Sequence, residues 1–514
     1  MTLFSSFQKP IVRFETLGCK LNQIESESAA HSFADAGFDC RMDGINSSFP
    51  GDTVTFLCIV NTCTVTAKAE QKCRRIIRLL LEKYPCAAVL ITGCYAQLDG
   101  DFLAAMDNRI AVLGGRHKDA LIRLPAFLRS FMSGAALCST EAAASVPACK
   151  DVSMPVFEAS CESAFALAAQ LRDLYKGSFD TDKKCTPVQP HTGRETFALS
   201  TDTFLQHSRP SLKIQDGCDN RCSYCRICLA RGPSLSLQAD RVLERVLQLE
   251  KIGHREVILT GVNIGQYRFS SESEPFSGGL TFLLAYLLEH TDTISFRLSS
   301  LHPQIINDEL CAVLSHERIR PHFHLSVQSG SDAVLKAMRR PYNAECITRA
   351  VEHLRRIKNR PFIACDIIAG FPGETREDFE KTLELCRFCN FSWIHAFPFS
   401  PRPGTDACKI KPPVPPAEAR ARVQELGLLA EKQKKAYIES CIGKHFKAVV
   451  EKFRTGDLRA VTENFLHVRI KQAAAFSLKP HFPPSGGTEV LLCIDSVNEA
   501  GLKGETCEAF AVLL

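Results

Sequence analysis

No stretch of the chain approaches the roughly 20 apolar residues that a membrane span requires. The start, Met1 to Phe14, lacks a long apolar run beside a basic head, so no secretory signal is expected. Neither sign of charge dominates: 62 Lys+Arg against 57 Asp+Glu leaves +5, too slight a bias to establish nucleic-acid binding but no obstacle to a local basic face. These absences predict a cytoplasmic protein with no membrane partner. Hydrophobic residues at 45% and charged residues at 23% exclude a fully disordered, collagenous or coiled-coil chain. A length of 514 residues suggests about three domains.

Cysteine is what the chain has in excess, with 24 residues. In a reducing compartment a disulfide framework is not expected, which leaves metal ligation, redox chemistry or apolar packing. Cys58 and Cys365, inside apolar strand-like runs, and Cys386, in a helical pattern, read as packing. Cys386 and Cys389 form a CxxC on a predicted helix with no matching pair nearby in sequence, which again favours packing over zinc.

Apolar periodicity divides the chain. Strands are expected at Ile11 to Leu17, Val54 to Asn61 and Ala87 to Thr92, with helices at Gln23 to Ala36 and Ala67 to Glu82. That alternation predicts an N-terminal parallel α/β domain over 10–120. Residues 121–206 read as an insertion or linker, with the Ala- and Ser-rich stretch Ala135 to Ser145 and a polar stretch from Lys176 to Gly193. Six further strands are expected, Leu212 to Gln215, Glu256 to Thr260, Ile294 to Leu298, His322 to Val327, Phe362 to Ile368 and Trp393 to Phe397, separated by helical segments. They predict a partial (β/α)6 barrel over 207–435, two units short of a complete one, with its chemistry on the loops after the strands. The proline run Pro412 to Pro416 marks a break, and Ala417 to Ser440 reads as a charged helix. Short alternating segments after Gly443 predict a small C-terminal β-barrel over 441–514.

Two groups of cysteines stand where a metal could use them. Cys218, Cys222 and Cys225 are spaced C-x3-C-x2-C directly after the first barrel strand. Three thiolates on one short loop can hold three corners of a cubane and leave the fourth iron open to a small molecule. Cys228 extends the run, so a closed four-thiolate cluster or a structural zinc site remains an alternative. The second group is invisible to a spacing search: Cys19, Cys63 and Cys94 each follow a strand of the N-terminal domain. Right-handed crossovers bring all three strand ends to one edge of a parallel sheet, where such sheets bind ligands. A chance trio is the alternative reading.

The loop around Cys218, Cys222 and Cys225, with Tyr224 before the last cysteine, resembles the radical S-adenosylmethionine (SAM) signature. Together with Thr16-Leu17-Gly18-Cys19-Lys20, Asn61-Thr62-Cys63-Thr64 and Gly93-Cys94-Tyr95, the chain is similar to the radical SAM methylthiotransferases, most of all the branch acting on threonylcarbamoyladenosine of tRNA. Ala230-Arg231-Gly232, Gln328-Ser329-Gly330 and Asp366 to Glu374 add to the resemblance, and the stretch from Ile442 looks like a TRAM RNA-binding barrel. The resemblance implies two 4Fe-4S clusters, one on Cys218, Cys222 and Cys225 and one on Cys19, Cys63 and Cys94, with SAM bound at the first. It implies hydrogen removal from C2 of a modified adenosine at position 37 of tRNA and insertion of a methylated sulfur, with an electron-donor protein and a sulfur source as further partners. Tyr224, Gln328 and Asp366 are expected to contact SAM, while Glu374 can equally cap the following helix. An RNA face is expected from Lys444, Lys447, Lys452, Arg454, Arg459 and Arg469, interleaved with Phe446, Phe453 and Phe465. No Ser/His/Asp set is legible, and the scheme requires no acid-base pair.

Overall fold

Strands that are apolar on both faces must be covered on both sides, and the first part of the chain is built on them. The computed structural model describes residues 9–133, 159–178, 197–199, 209–270, 277–451, 458–471, 487–502 and 507–514. Contacts divide the chain into unit 1, residues 1–201 with 217–219 and 226–233, and unit 2, residues 202–216, 220–225 and 234–514.

In unit 1, β1 (Ile11–Thr16), β2 (Asp39–Arg41), β3 (Thr55–Thr62), β4 (Ala88–Gly93) and β5 (Ile110–Val112) form a parallel sheet in the order β2-β1-β3-β4-β5. Its helices are α1 (Lys20–Asp35), α2 (Ala67–Lys83), α3 (Cys94–Ala104), α4 (Ala120–Met132) and α5 (Cys161–Leu174). Alternate strand residues feed two cores. Leu57, Ile59 and Leu90 pack with Phe33 of α1 and the leucines of α4 and α5, whereas Cys58, Val60, Val89 and Ile91 pack with Ile76, Ile77 and Leu80 of α2. Helix α1 therefore covers one face and α2 the other, which makes the junction of β1 and β3 the point where the crossovers diverge. Ligands bind outside the strand ends at such a point.

Part of the expected insertion belongs to this core. Leu121, Leu124 and Leu128 on α4, and Leu167 and Leu171 on α5, form apolar stripes at helical spacing that are fully buried. Ala135 to Ser145 and most of Lys176 to Gly193 lie outside the described residues.

Unit 2 contains β6 (Ser211–Lys213), β7 (Glu256–Thr260), β8 (Ser295–Leu298), β9 (His322–Gln328), β10 (Phe362–Ala369) and β11 (Trp393–Pro398). They pair in parallel as β8-β7-β6 and β9-β10-β11, and isolated parallel bridges at Phe296 with Ile319 and Leu301 with Leu325 join the two sets. This is the partial (β/α)6 barrel. Cys365, Cys386 and Cys389 are buried in its packing, as their sequence surroundings suggest.

The long helix Pro416–Cys441 leads to a closed barrel of β12 (His445–Val450), β13 (Arg459–Thr462), β14 (His467–Ile470), β15 (Glu489–Val497) and β16 (Ala509–Leu513). Strand β16, not anticipated from the sequence, closes it by pairing parallel to β14 and antiparallel to β15. Phe362 and Ala364 of β10 share the small barrel's hydrophobic core. Below them Glu256 receives Arg297 at 2.7 Å and Arg320 at 2.9 Å, while Arg320 also reaches Glu489 and Arg297 donates to the Thr462 carbonyl at 3.2 Å. Charges this deeply buried persist because each has several partners.

Candidate functional site

In unit 1 the ends of β1, β3 and β4 carry Cys19, Cys63 and Cys94. Cys19 occupies the N-cap position of α1, and Cys94 is the first residue of α3. The strand ends are tied together by side chains. Asn22 donates to the carbonyls of Leu17 at 2.8 Å and Thr62 at 3.1 Å, Asn61 donates to the Asn22 carbonyl at 3.0 Å, and Thr62 Oγ1 donates to the Thr92 carbonyl at 2.5 Å. Gly18, at φ +110°, leaves a cradle: a Cβ there would lie 2.7 Å from Cys63 Cβ and 3.0 Å from its Sγ. Burial pushes the Cys63 thiol up to about 12, and the neighbouring Cys94 and Cys19 thiols push in the same direction. A cation-rich centre that binds all three as thiolates would relieve that penalty, so the trio could hold an iron-sulfur cluster. Cys73, on the buried face of α2, has its Sγ 3.6 Å from the Cys63 carbonyl oxygen and packs into the core instead.

The second group lies on the loop after β6. Cys225 N donates to the Cys222 carbonyl at 3.1 Å, and Ser223 is pinned by its N–H to the Met338 carbonyl and its hydroxyl to the Ala337 carbonyl. Cys218, in the unit 1 segment, is held by its N–H to the Gly232 carbonyl at 3.1 Å, and Cys228 lies within α6 (Ile227–Arg231). Arg340 donates to Cys222 Sγ at 3.6 Å and stands over the rings of Tyr224 and Tyr342. Burial lowers its pKa, but the Tyr224, Tyr342, Cys222 and Cys225 side chains push it the other way, to a value above the ordinary arginine one. Arg340 Nε, Asn220 Nδ2 and Asn263 Oδ1 are buried with no hydrogen-bond partner, the kind of atoms a bound polar molecule satisfies. Among the described residues no three His, Cys, Asp or Glu side chains converge on a point that one metal ion could occupy. A cubane makes a different demand, because each thiolate binds its own iron at a separate corner.

Of the expected SAM contacts, Tyr224 packs edge-on against Phe371 at 6.4 Å between centroids, and Gln328 ends β9 with φ +70°. A buried non-glycine residue in that backbone region at a strand end is strained, and such strain collects at functional sites. Asp366 faces His324 Nε2 across 3.2 Å, and His324 Nδ1 lies 2.6 Å from Ser300 Oγ. Ser300, His324 and Asp366 are thus neighbours, but His324 Nε2 makes no hydrogen bond to the carboxylate. His324, Asp366 and His395 lie on neighbouring strands, with Asp366 in register with His395, and Trp393 Nε1 donates to His395 at 3.2 Å. The usable signal was parity: these residues alternate with the fully buried Leu325, Cys365 and Ile394. Glu374 receives Gly370 N at 2.6 Å and Arg422 at 2.5 Å, while Thr375 caps the next helix.

On the small barrel Lys444 and Lys447 are exposed, and Arg459 and Arg469 face each other across β13 and β14. Phe446 fills the interior and Phe465 stacks on His322 at 4.0 Å, so both rings serve packing. Lys452, Phe453 and Arg454 lie outside the described residues. No described helix is long and apolar enough to cross a membrane.

Residues 212–386 match the radical SAM superfamily, and residues 11–115 match uncharacterized protein family UPF0004. The threonylcarbamoyladenosine tRNA methylthiotransferase MtaB of Treponema pallidum (strain Nichols) is 44% identical over 468 residues, covering 89% of this chain and 94% of the relative. The chain belongs to the radical SAM methylthiotransferase family. A second threonylcarbamoyladenosine tRNA methylthiotransferase, from Aquifex aeolicus (strain VF5), is 30% identical to this methylthiotransferase over 89% of the chain and 96% of the relative. The tRNA-2-methylthio-N(6)-dimethylallyladenosine synthase of Bartonella henselae (strain ATCC 49882 / DSM 28221 / CCUG 30454 / Houston 1) is 27% identical over 86% of each chain. Membership implies a 4Fe-4S cluster and SAM, and the methylthiotransferase's C-x3-C-x2-C loop could hold the former.

Proposed function

We propose that this chain transfers a methylthio group to C2 of N6-threonylcarbamoyladenosine at position 37 of tRNA. The observation that carries the reading is the 44% identity over 89% of the chain to a threonylcarbamoyladenosine tRNA methylthiotransferase, and the position of Cys19, Cys63 and Cys94 just after three neighbouring strands of the unit 1 sheet supports it. The choice of base rests on identity, 44% to a threonylcarbamoyladenosine relative against 27% to a dimethylallyladenosine one.

In this reading Cys218, Cys222 and Cys225 hold one 4Fe-4S cluster and Cys19, Cys63 and Cys94 a second. When bound, the two clusters and SAM supply the reducing electron, the hydrogen-abstracting adenosyl group, the sulfur and the methyl group. The chain's own residues bind and orient. Arg340 fixes Cys222, Tyr224 walls the loop, and Gln328 and Asp366 would contact SAM. The Gly18 cradle keeps space beside Cys63. Exposed Lys444 and Lys447 suit the RNA backbone. An electron-donor protein and a sulfur source complete the reaction, and the cytoplasm is the setting.

The test is anaerobic reconstitution followed by incubation with tRNA bearing threonylcarbamoyladenosine or isopentenyladenosine and nucleoside mass spectrometry. The reading expects about eight irons per chain and a methylthio group on the first tRNA alone. Modification of only the second would assign the dimethylallyl reaction, and zinc without sulfide would return the chain to a non-catalytic RNA-binding role.

A further inference from the structure

Helix α6 ends on Arg231, whose side chain is 6% exposed and donates to several groups of unit 1. Nη1 donates to Glu25 Oε1 at 3.1 Å, and Nη2 donates to Glu25 Oε2 at 3.3 Å and to Asn22 Oδ1 at 2.8 Å. Nε points at Cys94 Sγ from 3.3 Å. Glu25 itself is fixed from the other side by Lys118 Nζ at 2.5 Å, and Lys118 also reaches Asn22 Oδ1 at 3.4 Å. Two buried cations thus meet at one buried carboxylate beside the sulfur.

We propose that Arg231 is a positioning residue for the Cys19, Cys63, Cys94 cluster: its Nε–H donates to the Cys94 sulfur, and with Lys118 and Glu25 holding the guanidinium in place it raises the reduction potential of that cluster. The proposal rests on the reading that Cys94 is a cluster ligand. Its physical basis is that reduction adds one negative charge, which a charged hydrogen-bond donor at the sulfur favours, and that hydrogen bonds to cluster sulfurs help set the potential. The planar fork matters as well as the charge, because one guanidinium must satisfy carboxylate, amide and sulfur together. Arg226, nearby on the same segment, has no such contact: its partners are Glu70 at 3.4 Å and Asp99 at 3.2 Å.

The test uses the full chain carrying Cys218→Ala, Cys222→Ala and Cys225→Ala, so that only the second cluster forms. Iron and sulfide are counted after anaerobic reconstitution, and the midpoint is read by EPR at controlled potentials for Arg231, Arg231→Gln, Arg231→Lys and Glu25→Gln. With Arg231→Gln, about four irons remain and the reduced-to-oxidised ratio at fixed potential falls about tenfold, a shift of about 59 mV to more negative values. Arg231→Lys shifts the same way by less. Glu25→Gln removes a negative charge and shifts the midpoint the opposite way. A merely structural role would lower iron content while leaving the midpoint of the remaining clusters unmoved, and that result overturns the proposal. So do shifts of the same sign in Arg231→Gln and Glu25→Gln. Absence of iron from the parent triple variant overturns the cluster reading and the proposal with it. If Arg231→Gln does not fold, opposite shifts in Arg231→Lys and Glu25→Gln support the proposal, and any other pair of results defeats it.

Discussion

Replacing Gly18 by alanine probes the second thiol centre without touching a ligand. Two costs are readable from the geometry. The backbone at φ +110° disfavours any side chain, at about 1–2 kcal/mol. The new methyl would also sit 2.7 Å from Cys63 Cβ and 3.0 Å from its Sγ, well inside the roughly 3.5–4.0 Å of an ordinary contact. Overpacking of this kind costs about 1–3 kcal/mol, so the sum is about 2–5 kcal/mol unless Cys63 moves. Movement of Cys63 removes it from the trio. Either way the reconstituted variant should fall from about eight irons towards about four, keep SAM cleavage and lose methylthiolation. Gly44→Ala is the control, since Gly44 has φ +68° but nothing within 4 Å of a new Cβ. It should lose only about 1 kcal/mol and retain all its iron. Thermal unfolding and iron-sulfide analysis of both variants decide the matter. A Gly18→Ala protein with full iron and a midpoint no lower than that of Gly44→Ala would refute the reasoning.

Three further outcomes are expected. Cys225→Ala abolishes SAM cleavage whereas Cys228→Ala leaves most of it, as assayed by 5′-deoxyadenosine formation; equal loss would restore the four-thiolate alternative. Cys63→Ala keeps SAM cleavage but inserts no sulfur. Burial alone would raise the Glu256 carboxyl, but Arg297, Arg209 and Arg320 outweigh it and hold it down to about 2 against an ordinary 4.5. The folded value lies below the unfolded one, so the associated stability is present above pH 4.5 and is lost as the pH falls through about 2. A shift of that size corresponds to about 3 kcal/mol. Melting of unit 2 should therefore weaken steeply across that window in the native protein, and Glu256→Gln should flatten the slope while lowering the midpoint at neutral pH. An unchanged slope would contradict this.

The strands that could be read from the sequence are those long enough to show an apolar run or an alternation. Thr55–Thr62 is buried throughout, while His322–Gln328 and Trp393–Pro398 are alternating rather than apolar. What escaped is short or masked by polarity. Strands β2 and β5 have three residues each, too few for periodicity. The start of α1 carries the buried Asn22 and Glu25, which break the apolar stripe because they serve the site rather than the core. That Cys19, Cys63 and Cys94 each follow a strand of one parallel sheet was legible because the strands' ends share an edge by topology alone. Arg231 on Cys94, and Ser300 with His324 and Asp366, were not: those contacts depend on where separate elements pack, and no sequence spacing encodes them.

The central claim, that this chain methylthiolates threonylcarbamoyladenosine in tRNA, is tested most directly by nucleoside mass spectrometry of tRNA from cells lacking the protein and from the same cells resupplied with it. The account predicts that the 2-methylthio form disappears while unmodified N6-threonylcarbamoyladenosine accumulates, and that the native chain but not Cys225→Ala restores it. Unchanged 2-methylthio-threonylcarbamoyladenosine in the deletion strain, with no second enzyme of this kind present, would contradict it.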